Sequence, residues 1–300
     1  ITPLHIAFDE VCKKATERGI RVTGSELVGL VPLKSLLDAG RYFLQKQQRS
    51  TGVSEKELIK IAIKTMGLDE LGPFKSEERI IEYLLKDKAD SKLVSMTLSD
   101  FADETASESP APGGGSISAY VGALGISLAT MVANLSSHKK GWDARWEEFS
   151  VWAEKGQKIK DELTKLVDLD TAAFNKIMTA FSLPKGTDEE KAARKQAIQD
   201  ATKFAIEVPF KVMQLSYESL AIIKAMAEVG NPNSVSDAGV GALCARSAVM
   251  GAFMNVRINA SGYDDKTFVT DIIAKGKDIE NKTIALEADI LKIVNEKIGV

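Results

Sequence analysis

Thiols and imidazoles are scarce in this chain: two cysteines, Cys12 and Cys244, and two histidines, His5 and His138, among 300 residues. Neither cysteine has metal-ligand spacing around it, and neither histidine belongs to an HxxxH pair on a helix. That excludes a cysteine-based zinc site and a His-rich centre, and no metal is expected. So few thiols fit a reducing, cytoplasmic setting and argue against a disulfide. An excess of basic residues is missing too. With 39 Lys and Arg against 42 Asp and Glu, the net charge is -3 and no basic tract occurs, which argues against nucleic acid as a partner. An anionic substrate would have to be held by a local cluster of cations. The opening ITPLHIAFDEV lacks the basic start and continuous apolar core of a signal peptide, and the missing Met is read as the mark of a fragment. Finally, residues 109–137 carry no charge, a length sufficient for a membrane span. Their content of Gly, Ala, Ser, Thr and Asn points instead to the central helix of a bundle. The remaining helices read as amphipathic, so no membrane span is expected.

What is present suggests two regions. TPLHIAF is a short apolar run of strand type, DEVCKKATERG is helical and closed by Gly19, and IRVTGSELVGLVP is extended and halted by Pro32, which together read as a β-α-β unit. LKSLLDAGRYFLQKQQ, SEKELIKIAIKTMG and SEERIIEYLLK follow as helices, with Ser54 and Ser76 as N-caps before acidic first turns. The charged, apolar-poor stretch around 86–92 is a linker. From Thr97 onward, helical periodicity fills the segments near 98–108, 116–138, 143–181, 188–229, 236–260 and 265–298. The fold class expected is therefore mainly α: an up-and-down helical bundle preceded by a partial α/β segment. The boundaries are 1–85 for the first region, 86–95 for the linker and 96–300 for the bundle. Pro209, inside the helix 188–229, should free the carbonyl of Ala205 and kink that helix.

One residue contradicts the simple amphipathic pattern. At 100° per residue, Leu163, Leu166, Val167, Ala173, Phe174, Ile177 and Phe181 all project within about 60° of Asp170, which sits at the centre of their apolar stripe. Asp168 points the other way. An inward acid must be hydrogen-bonded, paired or carry a raised pKa, and a raised pKa is what acid-base chemistry near neutral pH requires. The alternative is a structural Asp tied to a neighbouring donor.

Three further groups could carry chemistry. PAPGGGSISAY at 110–120 places Gly113, Gly114 and Gly115 before a helix with Ser116 as N-cap. Such a terminus exposes N–H groups to a carboxylate or carbonyl, although the Lys-Ser/Thr of a phosphate-binding loop is absent; alternatively it is a flexible entry into a tightly packed helix. In the helix 236–260, capped by Ser236, one face carries Gly241, Cys244, Ala248, Gly251, Asn255 and Asn259, and another carries Leu243, Val249, Met250 and Phe253. The two amides could address a planar heterocycle, or cap neighbouring loops; Arg246 and Arg257 lie opposite and suit ion pairs. Lys139, Lys140 and Arg145 follow the small-residue helix, where cations complement its C-terminus or could hold the carboxylates of an acidic substrate.

PAPGGGS at 110–116, LVDLDTAAF at 166–174 and GAFMNVRIN at 251–259 resemble the cyclodeaminase domain of the formimidoyltransferase-cyclodeaminase family. LPKGTDEEK, the VPFK around Pro209 and VGNPNSVSD extend the resemblance over 95–300. VTGSELVGLVPLKSLLDAG and GLDELGPFKSEERIIEYL resemble the end of the formiminotransferase half. The resemblance implies that 1–85 is a transferase remnant lacking the amino-terminal subdomain and the catalytic histidine region, so that transferase activity is expected to be absent. It implies conversion of 5-formimidoyltetrahydrofolate to 5,10-methenyltetrahydrofolate and ammonia in histidine degradation, with a tetrahydrofolate derivative as substrate and no prosthetic group.

The second Asp of the family's VDxD motif, its proposed catalytic residue, falls on Asp170. Resemblance also implies folate contacts from Gly113, Gly114, Gly115, Ser116, Asn255 and Asn259, and binding of the glutamate tail by Lys139 or Lys140. Where animal members show an RRQF-like stretch, this chain has KKGW at 139–142, which keeps charge but loses the bidentate geometry of arginine. Self-association to a dimer, or to larger rings in the intact enzyme, is implied as well. Two other readings stand beside this one: a methenyltetrahydrofolate cyclohydrolase, which stand-alone relatives of the helical domain resemble, and a non-catalytic helical assembly module.

Overall fold

The computed structural model describes residues 2–85 and 93–299, and they fall into two compact units. The first comprises 1–88 with 134–154, the second 89–133 with 155–300. The stretch 86–92 read as a linker lies outside the described residues.

In the first unit the expected β-α-β arrangement does not form. The run read as the first strand belongs to α1 (Leu4–Thr16), which continues through the segment read as helical. A short apolar run has no periodicity of its own, and His5, Phe8 and Cys12 share one face only when it is helical. That face meets α2 (Leu33–Lys46), with His5 against Tyr42 at 4.7 Å and Phe8 edge-on to Phe43 at 6.5 Å. Residues 20–32 form no strand: Val31 makes an isolated parallel bridge with Ile80, and the Ser25 N–H donates to the Gly67 carbonyl at 3.2 Å. No strand occurs among the described residues.

Ser54 does cap α3 (Glu55–Met66), accepting from the Glu57 N–H at 3.3 Å, and Gly67 closes it at φ 61°. Ser76 is not a cap. Lys75 holds that position, and the single helix expected there is split into α4 (Ser76–Arg79) and α5 (Ile81–Leu85), because Ile80 turns extended to meet Val31. The core joins Val31, Leu36, Phe43, Ile59, Met66 and Ile80, all nearly inaccessible. In 134–154, Trp142 stacks on Phe149 at 5.6 Å, with the Lys139 ammonium 4.1 Å from the Trp142 ring centre.

The second unit holds α6 (Leu98–Ala106), most of α7 (Gly114–Ser137) and α8 (Trp146–Ser182), then α9 (Asp188–Val229), α10 (Val235–Ala260) and α11 (Lys266–Ile298). The residues that face each other show how α7 to α11 run. Ser116 meets Asp170 and Thr130 meets Gly156, so α7 and α8 are antiparallel. Phe181 pairs with Arg194 and Lys176 with Phe204 between α8 and α9. Ala205 pairs with Asn259 and Ile223 with Gly241 between α9 and α10. Phe253 covers Gly276, and Arg246 meets Glu287, between α10 and α11. This is the expected up-and-down bundle.

Helix α9 starts with a full capping box, in which Thr187 and Glu190 each accept the other's backbone N–H. Neither Ser116 nor Ser236 is a cap, since both lie inside the first turns of α7 and α10. Two stretches, Gly114–Ser137 and Pro232–Ala260, are long and apolar enough to cross a membrane by length and composition, so α10 departs from the expected amphipathic pattern; 61% and 50% of their apolar windows are buried within the protein.

The apolar character of these two helices follows from how they meet. Along the α7–α10 seam, Gly125 faces Gly241 and Cys244, Gly122 faces Ala248, Ser118 faces Gly251, and Gly114 faces Asn255. Side chains this small bring two backbones into direct contact, and a Cβ on Gly125 would meet the Gly241 carbonyl at 2.9 Å. Thus the small-residue face read from the sequence is filled by α7 over most of its length. Only its Asn255 and Asn259 end remains open.

Candidate active site

At that open end, the first turn of α7, the second half of α8, the middle of α9 and the last turns of α10 enclose a cleft of about 200 Å³. It is lined by Gly113 and Gly114, by Asp170, Thr171, Phe174 and Ile177, and by Ala205, Asn255 and Asn259. Of the residues expected at the site, Asp170, Gly113, Gly114, Asn255 and Asn259 come together, joined by Thr171 and Ala205, which the sequence reading did not single out for it.

The stripe around Asp170 packs inward at Leu163, Leu166, Val167 and Ala173, then emerges from the core. Phe174 and Ile177 are half-buried walls of the cleft, and Phe181 is 51% exposed, contrary to its expected inward place. Helix α8 simply outruns the packing surface at that end. Asp168 turns away as expected, accepting the Leu93 N–H at 2.8 Å.

Asp170 is held by α7. Its carboxylate accepts the backbone N–H of Ser116, one of the amides that a helix start leaves unpaired, and lies 3.2 Å from the Ser116 hydroxyl. That hydroxyl has one proton, and it sits closer to the Val167 carbonyl, at 2.8 Å, with the Thr171 hydroxyl at 3.3 Å. Gly115 explains the close approach, because any Cβ there would overlap the carboxylate. The glycine-rich start thus serves the protein's own acid first, so Gly115 and Ser116 support Asp170 rather than stand open to a ligand.

Burial pushes the Asp170 carboxyl above its ordinary value, and the Ser116 hydroxyl and amide beside it offset only part of that. Among the described residues no cation pairs with it. The outcome is a half-hidden acid in a cleft, held in place by a backbone amide and able to exchange a proton nearer neutrality than a free aspartate.

The two amides also have structural duties. Asn255 donates to the Gly251 carbonyl one turn back at 3.0 Å. Asn259 donates to the Ala205 carbonyl at 2.7 Å, the very acceptor that Pro209 deprives of its helical N–H. The expected loss of that bond is therefore made good from a neighbouring helix. Both residues line the cleft, and no hydrogen bond to either amide oxygen occurs among the described residues.

Lys139 and Lys140 do not line this cleft. They belong to the other unit, where Lys139 lies over Trp142. Arg246 pairs with Glu287 at 3.4 Å and Arg257 stands over Phe253, so these arginines are structural. Both cysteines are free thiols.

Comparison with known proteins adds an independent line. Residues 97–278 match the family model described as formiminotransferase-cyclodeaminase, and residues 1–86 match that of the formiminotransferase domain. The chain is 38% identical over 271 residues to the formimidoyltransferase-cyclodeaminase of Gallus gallus and 36% identical over 269 residues to that of Mus musculus, covering 90% and 89% of this chain. It spans about half, 50%, of the length of those relatives. It is also 37% identical over 203 residues to a methenyltetrahydrofolate cyclohydrolase of Methylorubrum extorquens, covering 68% of this chain and 98% of that protein. Among solved structures, the formiminotetrahydrofolate cyclodeaminase of Thermotoga maritima aligns along its whole length with 69% of this chain, at a TM-score of 0.61 and 28% identity.

Proposed function

This chain belongs to the formiminotransferase-cyclodeaminase family, and from that premise we propose that its helical unit closes the ring of 5-formimidoyltetrahydrofolate, giving 5,10-methenyltetrahydrofolate and ammonia, a step of histidine catabolism and one-carbon metabolism. The observation that carries the reading is Asp170: an acid in a cleft, with a raised pKa and, among the described residues, no cation to neutralise it.

In the reaction, the 10-nitrogen attacks the formimidoyl carbon on the 5-nitrogen. The resulting aminal has one proton too many on the attacking nitrogen and one too few on the departing amine. Asp170 takes the first and gives it to the second, and ammonia leaves with the C–N electron pair while the methenyl cation forms. One group suffices because the same proton is moved. A carboxyl with an ordinary pKa would be a poor donor at neutral pH, and burial corrects that.

Phe174 and Ile177 give the cleft an apolar wall for a flat ring, and the oxygens of Asn255 and Asn259 can accept from its N–H groups. Gly113 and Gly114 let the ring approach the backbone. In this reading, residues 1–85 belong to the formiminotransferase domain, 86–95 are the linker and 96–300 the catalytic domain. The substrate's own tetrahydrofolate carries the one-carbon unit and no prosthetic group takes part. The protein acts in the cytoplasm, spans no membrane and binds no nucleic acid. It self-associates through the exposed apolar stripe Val240, Leu243, Met254 and Ile258 on one face of α10.

The cyclohydrolase relative favours a second reading, hydrolysis of the methenyl compound, in which Asp170 would activate water. Incubation with 5-formimidoyltetrahydrofolate separates them. Methenyl absorbance and ammonia rising together support ring closure, and a chain that only consumes added methenyltetrahydrofolate is a cyclohydrolase.

A further inference from the structure

The Ser116 hydroxyl has two acceptors and one proton. The Val167 carbonyl lies at 2.8 Å and Asp170 Oδ2 at 3.2 Å, so it serves them in turn. The Ser116 N–H differs, because a backbone amide in the first turn of α7 is fixed in direction. A hydroxyl turns about its Cβ–Oγ bond, and Ser116 is fully buried, so no solvent competes for its proton.

The two acceptors need that proton unequally. Val167 lies inside α8, where its carbonyl also accepts the Thr171 N–H of the helical ladder, so losing the hydroxyl leaves it bonded. Asp170 changes its demand during turnover. As a carboxylate it only accepts, and a hydrogen bond to a charged group is roughly twice as strong as one between neutral groups. As a carboxylic acid it gains a donor of its own. Ser116 Oγ has two lone pairs to receive it, of which the Thr171 hydroxyl at 3.3 Å uses at most one. No competing charge faces the pair among the described residues: α7 brings Gly113, Gly114 and Ser116, α9 brings Ala205, and α10 brings Asn255 and Asn259, none of which titrates.

We infer that Ser116 is a positioning residue whose hydroxyl follows the charge of Asp170, donating to Oδ2 while the acid is ionised and to the Val167 carbonyl while it is protonated. The inference rests on the acid-base reading of Asp170. When the carboxylate takes the proton of the 10-nitrogen, an N–H bond breaks, an O–H bond forms and the electron pair stays on nitrogen. The Ser116 hydroxyl only rotates. When the proton passes to the departing amine, it rotates back. Both forms of Asp170 thus keep a hydrogen bond, and the carboxylate is spared part of the cost of its burial.

The test is Ser116→Ala, which removes the hydroxyl and orphans no backbone group. The Asp170 carboxyl carbon, followed by NMR across pH without substrate and assigned by its absence in Asp170→Asn, should titrate about half to one pH unit higher than in the wild type. The acid limb of kcat for 5-formimidoyltetrahydrofolate should move up by the same amount, with the plateau above it lowered less than about threefold and KM unchanged. Ser116→Cys, which keeps the volume and weakens the donor, should shift in the same direction and stands in if the alanine variant does not fold. An unmoved carboxyl titration in a folded variant overturns the inference. So does a loss of kcat that is equal at every pH, which is what a merely structural hydroxyl would give. If Asp170→Asn still closes the ring, the acid-base reading fails, and the carboxyl titration decides the hydroxyl's behaviour without it.

Discussion

Asp9 in the first unit and Asp170 in the second are both partly buried aspartates on helices, and their surroundings drive them in opposite directions. Burial alone would raise the Asp9 carboxyl, but hydrogen bonds from Lys46 and Tyr42, at 2.6 and 2.5 Å, outweigh it and hold the group below its ordinary value. Asp170 has burial without the cation, and its carboxyl moves up. The cores around them differ in the same sense. The first unit fills its interior with large apolar side chains, among them Leu36, Phe43, Ile59 and Ile80. In the second, α7 and α10 meet through glycine and alanine, and the room so gained brings an acid against a helix start. One unit uses its aspartate for stability, and the other keeps its aspartate available at a cost in stability.

If that contrast is right, the largest effect comes from Asp170→Asn. Shape and the Ser116 amide bond are retained and the titrating proton is lost, so kcat for ring closure should fall about 100- to 10,000-fold. Product formation measured by methenyl absorbance checks it, with folate affinity unchanged. In the wild type, the rate should fall as pH drops through the Asp170 pKa, at a value above the ordinary aspartate range, because the carboxylate form must begin the cycle.

Gly115→Ala should come next. Its methyl group would overlap the Asp170 carboxylate, and either the carboxylate leaves the Ser116 amide or α7 moves off α8. Overpacking of this kind costs about 1–3 kcal/mol, and chemical denaturation should show it together with lost activity. Asn259→Leu should cost about 1–3 kcal/mol as well, since it leaves the Ala205 carbonyl without a donor beside Pro209. Replacing Pro209 by Ala in the same chain should recover most of that loss by restoring an N–H for Ala205. No recovery would mean that Asn259 acts on something other than the orphaned carbonyl.

How far the sequence could be read follows the same division. The limits of the long helices α9, α10 and α11 were legible to within a residue or so from the Gly, Pro and Asn clusters between them, as was the inward place of Asp170. The freed carbonyl at Ala205 was legible too, from Pro209 alone, but its donor lies 54 residues away, and spacing along one helix cannot show it. Ser116 was taken for a cap because the glycines before it look like a loop. Gly114 and Gly115 are helical instead, since α8 supplies the acceptor that a capping side chain normally provides. In the first unit the short apolar run at 2–8 had no period to distinguish strand from helix, and only Tyr42 and Phe43, over 30 residues on, settle it.

The smallest effect, and the cleanest comparison, is in stability against pH. For Asp9 the folded pKa is depressed, so its contribution is present above the unfolded value and is lost as pH falls through the folded one. Asp9→Asn should therefore lower stability at neutral pH, by about 0.5–1 kcal/mol for a largely exposed pair with Lys46, and make no difference in strong acid. For Asp170 the folded pKa is raised, so its contribution is present below the unfolded value and is lost as pH rises through the folded one. Asp170→Asn should then raise the Tm at neutral pH while abolishing turnover, with the gain vanishing in acid. Thermal melts of both variants at acid and neutral pH give two differences of opposite sign at neutral pH and two that vanish in acid. Should Asp170→Asn lower the Tm at neutral pH, the acid would be a structural cap of α7, and its place in the cleft would need another explanation.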